Sequence, residues 1–255
     1  MYFKHKDNLI KQINILLSKH KLIGIKAEFE AEGSSFDDVS NLRGITNYCN
    51  TKLFVKIGGA EALNDIYKCL EIGVDGIIAP MIESKFAVYK FVDFFRKKKL
   101  KKIPHLSINI ETKTAYDNLD EILKYTDGYI KNITVGRSDL SKSFFRKNLY
   151  PDSDFISNII INIAKKVKKY KMTLTVGGSL SNKTIQKYNK SKNLLKLINK
   201  METRKVILPT SNFMSDIAIN EALNFENYYI LLKNEIYEQR ADSDKNRLST
   251  LITRK

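Results

Sequence analysis

The sequence predicts an α/β fold, a (β/α)8 TIM barrel with a C-terminal helical extension, on three observations. Strand-like runs alternate with helical patterns along most of the 255 residues, the order that a parallel sheet requires. The length suits one closed barrel of this kind. No G-x-G-x-x-G turn follows the first strand-like run, which argues against an open dinucleotide-binding sheet.

The elements follow in order. Residues 1–20 read as a helix, with Leu9, Ile13, Leu16 and Leu17 on one face. Residues 22–30 (LIGIKAEFE) alternate as a strand, placing Lys26, Glu28 and Glu30 on one face. A helix over 37–47 leads to a strand over 52–57 (KLFVKI), stopped by Gly58-Gly59. Residues 61–72 form a helix closed by Gly73, and 76–82 (GIIAPMI) an apolar strand of the buried parallel type. A helix over 85–98 precedes 107–111, where Ser107, Asn109 and Glu111 alternate with Ile108 and Ile110. Residues 112–125 read as helix, 133–136 as strand, and Asp139 as part of the loop that follows. A helix over 155–169, a strand over 172–176 and Gly177-Gly178 come next, then a polar, mostly helical stretch over 181–201. Residues 205–208 (KVIL) form a strand ended by Pro209. That makes seven strands, with the eighth expected in the N-terminal region, in the 210–216 turn, or in degenerate form. A barrel domain over 1–215 and C-terminal helices over 216–255 are expected: one long amphipathic helix, a polar break, and a short segment over 247–253. The helices carry Phe225, Tyr228, Tyr229 and Leu232, enough apolar surface to cover the barrel or dock on a neighbouring subunit.

Net charge is +16, from 44 Lys+Arg against 28 Asp+Glu. The lysines are spread over helices and no nucleic-acid motif accompanies them, so no nucleic-acid partner is expected. No apolar run reaches the roughly 18 residues of a membrane helix, and the N-terminal stretch has no apolar h-region, so neither membrane nor export is expected and a cytoplasmic location follows. Cys49 and Cys69 lie outside any C-x-x-C spacing. Of the three histidines, His5 and His20 sit in the first helix and His105 starts a strand at the barrel's far end, so none suits catalysis.

Chemistry is expected at the C-terminal ends of the strands. Glu111 and Asp139 follow neighbouring strands there, placed to hold one hard divalent cation; a helix-terminal acid and a loop acid are the plainer alternative. Lys56 ends a strand between Val55 and the paired glycines. It reads as a cation at the barrel mouth, as a Schiff-base lysine, or as a solvated strand end. Glu28 or Glu30 reads as a general base, or as one member of an ion-pair cluster with Lys26 and Lys56. Arg137 faces the substrate or braces Glu111, and Gly58 and Gly177 let backbone N–H groups approach substrate oxygens or simply turn the chain. Glu83 is a weaker candidate nearby.

The stretches INIETKTAYDNLDEI, ITVGRSDLS, FVKIGGAEAL and GVDGIIAPMIES resemble the HpcH/HpaI aldolase and citrate lyase β-subunit family, a branch of the phosphoenolpyruvate/pyruvate barrels, over roughly residues 22–225. The resemblance implies that Glu111 and Asp139 bind Mg²⁺ or Mn²⁺ and that Lys56 stands where many members carry a substrate-binding arginine. It implies a metal-dependent carbon–carbon lyase of class II aldolase type, acting on a 2-oxo acid such as pyruvate and an aldehyde or thioester partner through a stabilised enolate. Citrate-lyase-like cleavage of an acyl-CoA thioester and a non-catalytic barrel used for binding or assembly are the alternatives. A homo-oligomer is also implied. The chain departs from the family at its early strand, which has no histidine where the bacterial class II aldolases keep a His–Asp dyad.

Overall fold

A computed structural model describes residues 3–98 and 100–254. The chain opens with α1 (Lys4–His20), then β1 (Gly24–Glu28), α2 (Phe36–Tyr48), β2 (Leu53–Lys56), α3 (Leu63–Ile72), β3 (Gly76–Ala79) and α4 (Lys85–Lys97). It continues through β4 (His105–Ile110), α5 (Lys113–Asp117), α6 (Leu119–Lys124), β5 (Ile130–Gly136), α7 (Arg137–Lys142), α8 (Asp154–Lys169) and β6 (Thr173–Gly177). It ends with α9 (Asn182–Asn189), α10 (Lys192–Leu195), β7 (Lys200–Glu202), β8 (Val206–Pro209), α11 (Thr210–Phe213) and α12 (Asp216–Ile252). Local signals set many of these bounds. Ser35, Ser84, Ser153 and Ser215 each cap a helix by accepting from the backbone three residues on, and Gly73 ends α3 in the left-handed region.

The eight strands close into a barrel in sequence order. β1 through β7 run parallel, in registers such as Ile25↔Leu53 and Asn109↔Thr134, but β8 pairs antiparallel with both β7 and β1. The eighth strand lies neither in the N-terminal region nor in the 210–216 turn; it is present in reduced form. It is β7, a three-residue strand whose first two residues fall in the stretch expected to be helical, joined to the KVIL strand by a hairpin in which Thr203 Oγ1 accepts from the backbone of Lys205 and Val206. A three-residue strand is too short for periodicity to announce it.

Alternation sorts the strand residues. Ile25, Ala27, Val55, Ile77, Ile108 and Val135 join the main apolar core. Phe54, Ile78 and Ile207 form a separate small cluster within the ring of strands. Beside it, in register with Ile78, lies a polar layer. Asn132 Nδ2 donates to Ser107 Oγ at 2.9 Å and to Thr134 Oγ1 at 3.2 Å, and its Oδ1 accepts from Thr173 and Thr175. Such satisfied networks hold a buried polar layer at little cost.

α12 is one unbroken helix, without the expected break before residue 247. The polar run contains neither Gly nor Pro, and Asp242–Lys245 and Asp244–Arg247 pair one turn apart. Its first half buries Ala218, Ile219, Ala222, Phe225, Tyr229 and Leu232 against its own chain. α1 lies along it, with Gln12 Nε2 donating to the Glu221 carbonyl at 3.0 Å. Among the described residues no helix is long and apolar enough to cross a membrane.

Candidate active site

At the C-terminal ends of the strands lies a cleft of about 290 Å³, lined by Lys26, Glu28, Lys56, Asn109, Glu111 and Asp139 together with Gly136, Ser138, Gly177, Glu202 and Arg204. Strand pleat explains the membership: Lys26, Glu28, Lys56, Asn109 and Glu202 occupy the alternating positions of β1, β2, β4 and β7 that point into the ring.

Glu111 sits just past the end of β4 and is buried. Its Oε1 accepts from the Met81 N–H at 3.0 Å and its Oε2 from Asn109 Nδ2 at 3.2 Å. Met81 can aim that N–H because it holds a left-handed backbone at φ +50°. Gly136, at the end of β5, completes the seat. A Cβ there would lie 2.5 Å from Glu111 Oε2, so only glycine lets the carboxylate occupy this place. Burial pushes the Glu111 carboxyl above the usual value, and the facing Asp139 adds to that; the Met81 N–H, Lys56 and Asn109 work against it. Thr112, next in the chain, caps α5 and donates to Glu83 Oε1 at 2.6 Å, so Glu83 braces the turn rather than the cleft.

Asp139 belongs to the first turn of α7, not to a loop. It is exposed, and its carboxylate accepts no hydrogen bond among the described residues. The cleft thus brings together one buried carboxylate and one free one.

A chain of alternating charges crosses the mouth. Lys26 Nζ lies 2.7 Å from Glu202 Oε1 and 3.5 Å from Glu28 Oε1, and Lys56 Nζ lies 3.0 Å from Glu28 Oε2. Burial opposes the charge on Lys26, but Glu202 and Glu28 overcome it and raise its pKa above the usual lysine value. Burial alone would lift Glu28; Lys26 and Lys56 outweigh it and hold the carboxyl below the usual range. Buried charges of this kind persist because each has a partner.

Three expected residues lie elsewhere. Glu30 is exposed beyond the end of β1. Gly58 donates its N–H to Asp65 Oδ2 at 2.9 Å, outside the cleft. Arg137 is completely buried behind the wall: it donates to Asp152 Oδ1 at 2.6 Å and to the carbonyls of Gly177 and Gly178 at 3.1 and 2.7 Å. It neither meets the cleft nor braces Glu111, because Asp152, Tyr188 and the Gly177 and Gly178 carbonyls engage its guanidinium. Glu202 was not anticipated, since it follows a stretch read as helix; the alternation Lys200-Met201-Glu202 is the one signal that marks it.

No curated protein matches the chain. Solved structures share its barrel at low sequence identity. An HpcH/HpaI aldolase from Desulfitobacterium hafniense aligns with a TM-score of 0.62 and 12% identity, over 77% of this chain and 81% of that one. An HpcH/HpaI aldolase/citrate lyase family protein from Burkholderia cenocepacia aligns at 0.55 and 12%, over 65% and 74%. The citrate synthase variant SbnG aligns at 0.55 and 14%, over 73% and 79%. The sequence itself matches the HpcH/HpaI aldolase/citrate lyase family over residues 37–172, a span that includes Lys56, Glu111 and Asp139, and the chain belongs to that family.

Proposed function

We propose that the chain is a metal-dependent carbon–carbon lyase that makes or breaks a bond to a 2-oxo acid such as pyruvate. The observation that carries the proposal is the meeting of the buried carboxyl of Glu111 with the unpartnered carboxylate of Asp139 at the barrel mouth.

The donor set fits a hard divalent cation such as Mg²⁺ or Mn²⁺. Two carboxylates face one cleft, and the buried Oδ1 of neighbouring Asn109 has no hydrogen-bond partner. Among the described residues no third acid, His or Cys joins them, so water and substrate oxygens would complete the shell. Glu111 and Asp139 would hold the ion, and once bound it supplies fixed positive charge that stabilises an enolate.

The chain's own residues do the rest. Lys56 Nζ, held at the mouth by Glu28, offers a cation to the substrate carboxylate. Glu28 is a weak base, because two ammonium groups hold its pKa down; its part is to position Lys56. The Ser138 and Ser179 hydroxyls, 2.7 Å apart, border the cleft with Gly177 and Gly178 and offer donors to a hydroxyl or carbonyl oxygen. A cleft of about 290 Å³ suits a small oxo acid and a short aldehyde better than a CoA thioester.

The test is deuterium exchange at the methyl group of pyruvate in D₂O, with and without Mg²⁺ or Mn²⁺. Exchange should need the ion and should be lost in Glu111→Gln and in Asp139→Asn. Undiminished exchange in either variant, or without divalent ion, would exclude this reading. Borohydride with pyruvate should trap no adduct at Lys56 or Lys26.

A further inference from the structure

We infer that the opposite, N-terminal end of the barrel carries a second ligand site, for a small phosphorylated compound bearing at least a diphosphate's charge. A cavity of about 730 Å³ opens there, where the strands begin. Four lysines converge on it from separate places in the fold: Lys52 before β2, Lys102 before β4, Lys131 in β5 and Lys200 at the start of β7. Among the described residues none of the four has a carboxylate partner. The two acids in the wall are already engaged. Asp75 takes Arg43 at 2.7 Å and the Leu53 N–H at 2.9 Å, and Asp127 takes Arg96 at 2.8 Å.

The lysines are close enough to act on their neighbours. Burial, then the charge of Lys52, brings Lys200 down to about 8 despite Glu202. Burial, then Lys200, Lys52 and Lys131, brings His105 down to about 4. A half-buried ammonium such as Lys200, set beside other cations, is costly, and an anion between these groups removes the cost. Scattered lysines turned to water would not act in this way on Lys200 and His105.

The shape narrows the ligand. Phe54 forms part of the wall, edge-on to His105 with ring centres 6.0 Å apart. It lies where the missing side chains of Gly24 and Gly76 leave room: a Cβ on either would come within 2.5 Å of its ring. Ile103 and Pro104 add apolar wall for an organic moiety. Lysines act as compact point charges suited to phosphate oxygens, and several of them match several negative charges. The site is independent of the carboxylate cleft and of the reaction proposed there.

The experiment titrates the full chain with inorganic pyrophosphate, then with ADP, in divalent-free buffer, by calorimetry and by the NMR signals of the histidine rings. Pyrophosphate should saturate at one equivalent and move the His105 signals, leaving His5 and His20 in place. Lys52→Gln with Lys131→Gln, both at exposed positions, should weaken binding roughly tenfold or more and leave pyruvate exchange unchanged. No saturable binding, binding that the double variant leaves intact, or a single-stranded oligonucleotide that binds far more tightly than ADP would each overturn the inference.

Discussion

Glu111 depends on glycine at position 136, because the Oε2 atom stands where a methyl group would be. Gly136→Ala should lower the pyruvate exchange rate by about 100-fold while costing about 1–3 kcal/mol of stability, read by exchange kinetics beside urea denaturation. A variant with full activity would show that the carboxylate's seat does not matter. The Lys26–Glu28–Lys56–Glu202 cluster makes a prediction about pH. Glu28 has a lowered folded pKa, so its stabilising effect is complete above the ordinary glutamate value of 4.5 and disappears as pH falls through the folded value. Lys26 has a raised one, so its effect is complete below 10.5 and is lost only in strong alkali. Urea midpoints should therefore fall more steeply below pH 4.5 for the wild type than for Glu28→Gln. Parallel acid profiles would mean that the pairing contributes nothing.

At the scale of elements, the junction between β6 and α7 is pinned by one side chain. Arg137 spends its guanidinium on Asp152 and on two carbonyls of the Gly177-Gly178 turn, and it also faces the Tyr188 ring at 5.6 Å. Gly178 packs against the start of α7, since a Cβ there would meet the backbone nitrogens of Arg137 and Ser138 at 2.8 and 2.7 Å. Asp139 rides on that helix. Arg137→Met leaves Asp152 and both carbonyls short of a partner and should cost about 3–5 kcal/mol, measured by chemical denaturation. A loss under about 1 kcal/mol would show that water replaces the guanidinium. The β7–β8 hairpin serves the other side of the mouth, where it carries Glu202 to within 2.7 Å of Lys26.

At the scale of the molecule, the two ends of the barrel differ in charge logic. The C-terminal end gathers acids that oppose each other at Glu111 and Asp139, and the N-terminal end gathers unpaired lysines. A cation that binds the folded chain alone must raise its stability. With Mn²⁺ at about 100 times its dissociation constant, the wild type should gain about 2.7 kcal/mol and melt about 5–11 °C higher. Asp139→Asn should lose most of that gain, and an equal shift in the variant would place the ion elsewhere.

Much of this was legible in the chain itself. Alternation in 22–30, 52–57 and 107–111 reports which side chains face inward, because the pleat is a local property of the backbone. The order of strands and helices predicted a barrel, and alternation put Lys26, Glu28, Lys56 and Glu111 on faces that line one mouth. Other features depended on long-range contacts. Glu30 shares Glu28's parity, yet β1 ends at Glu28 and leaves it in solvent. Arg137 lies two residues from Asp139, yet faces the back of the wall, because carbonyls 40 and 41 residues away claim its donors. β7 and the reversed β8 follow from closing the ring, a constraint that no window of sequence contains. Local periodicity decides which way a side chain points from its own strand; what it meets there is decided by segments far away in sequence, and only the folded chain brings them together.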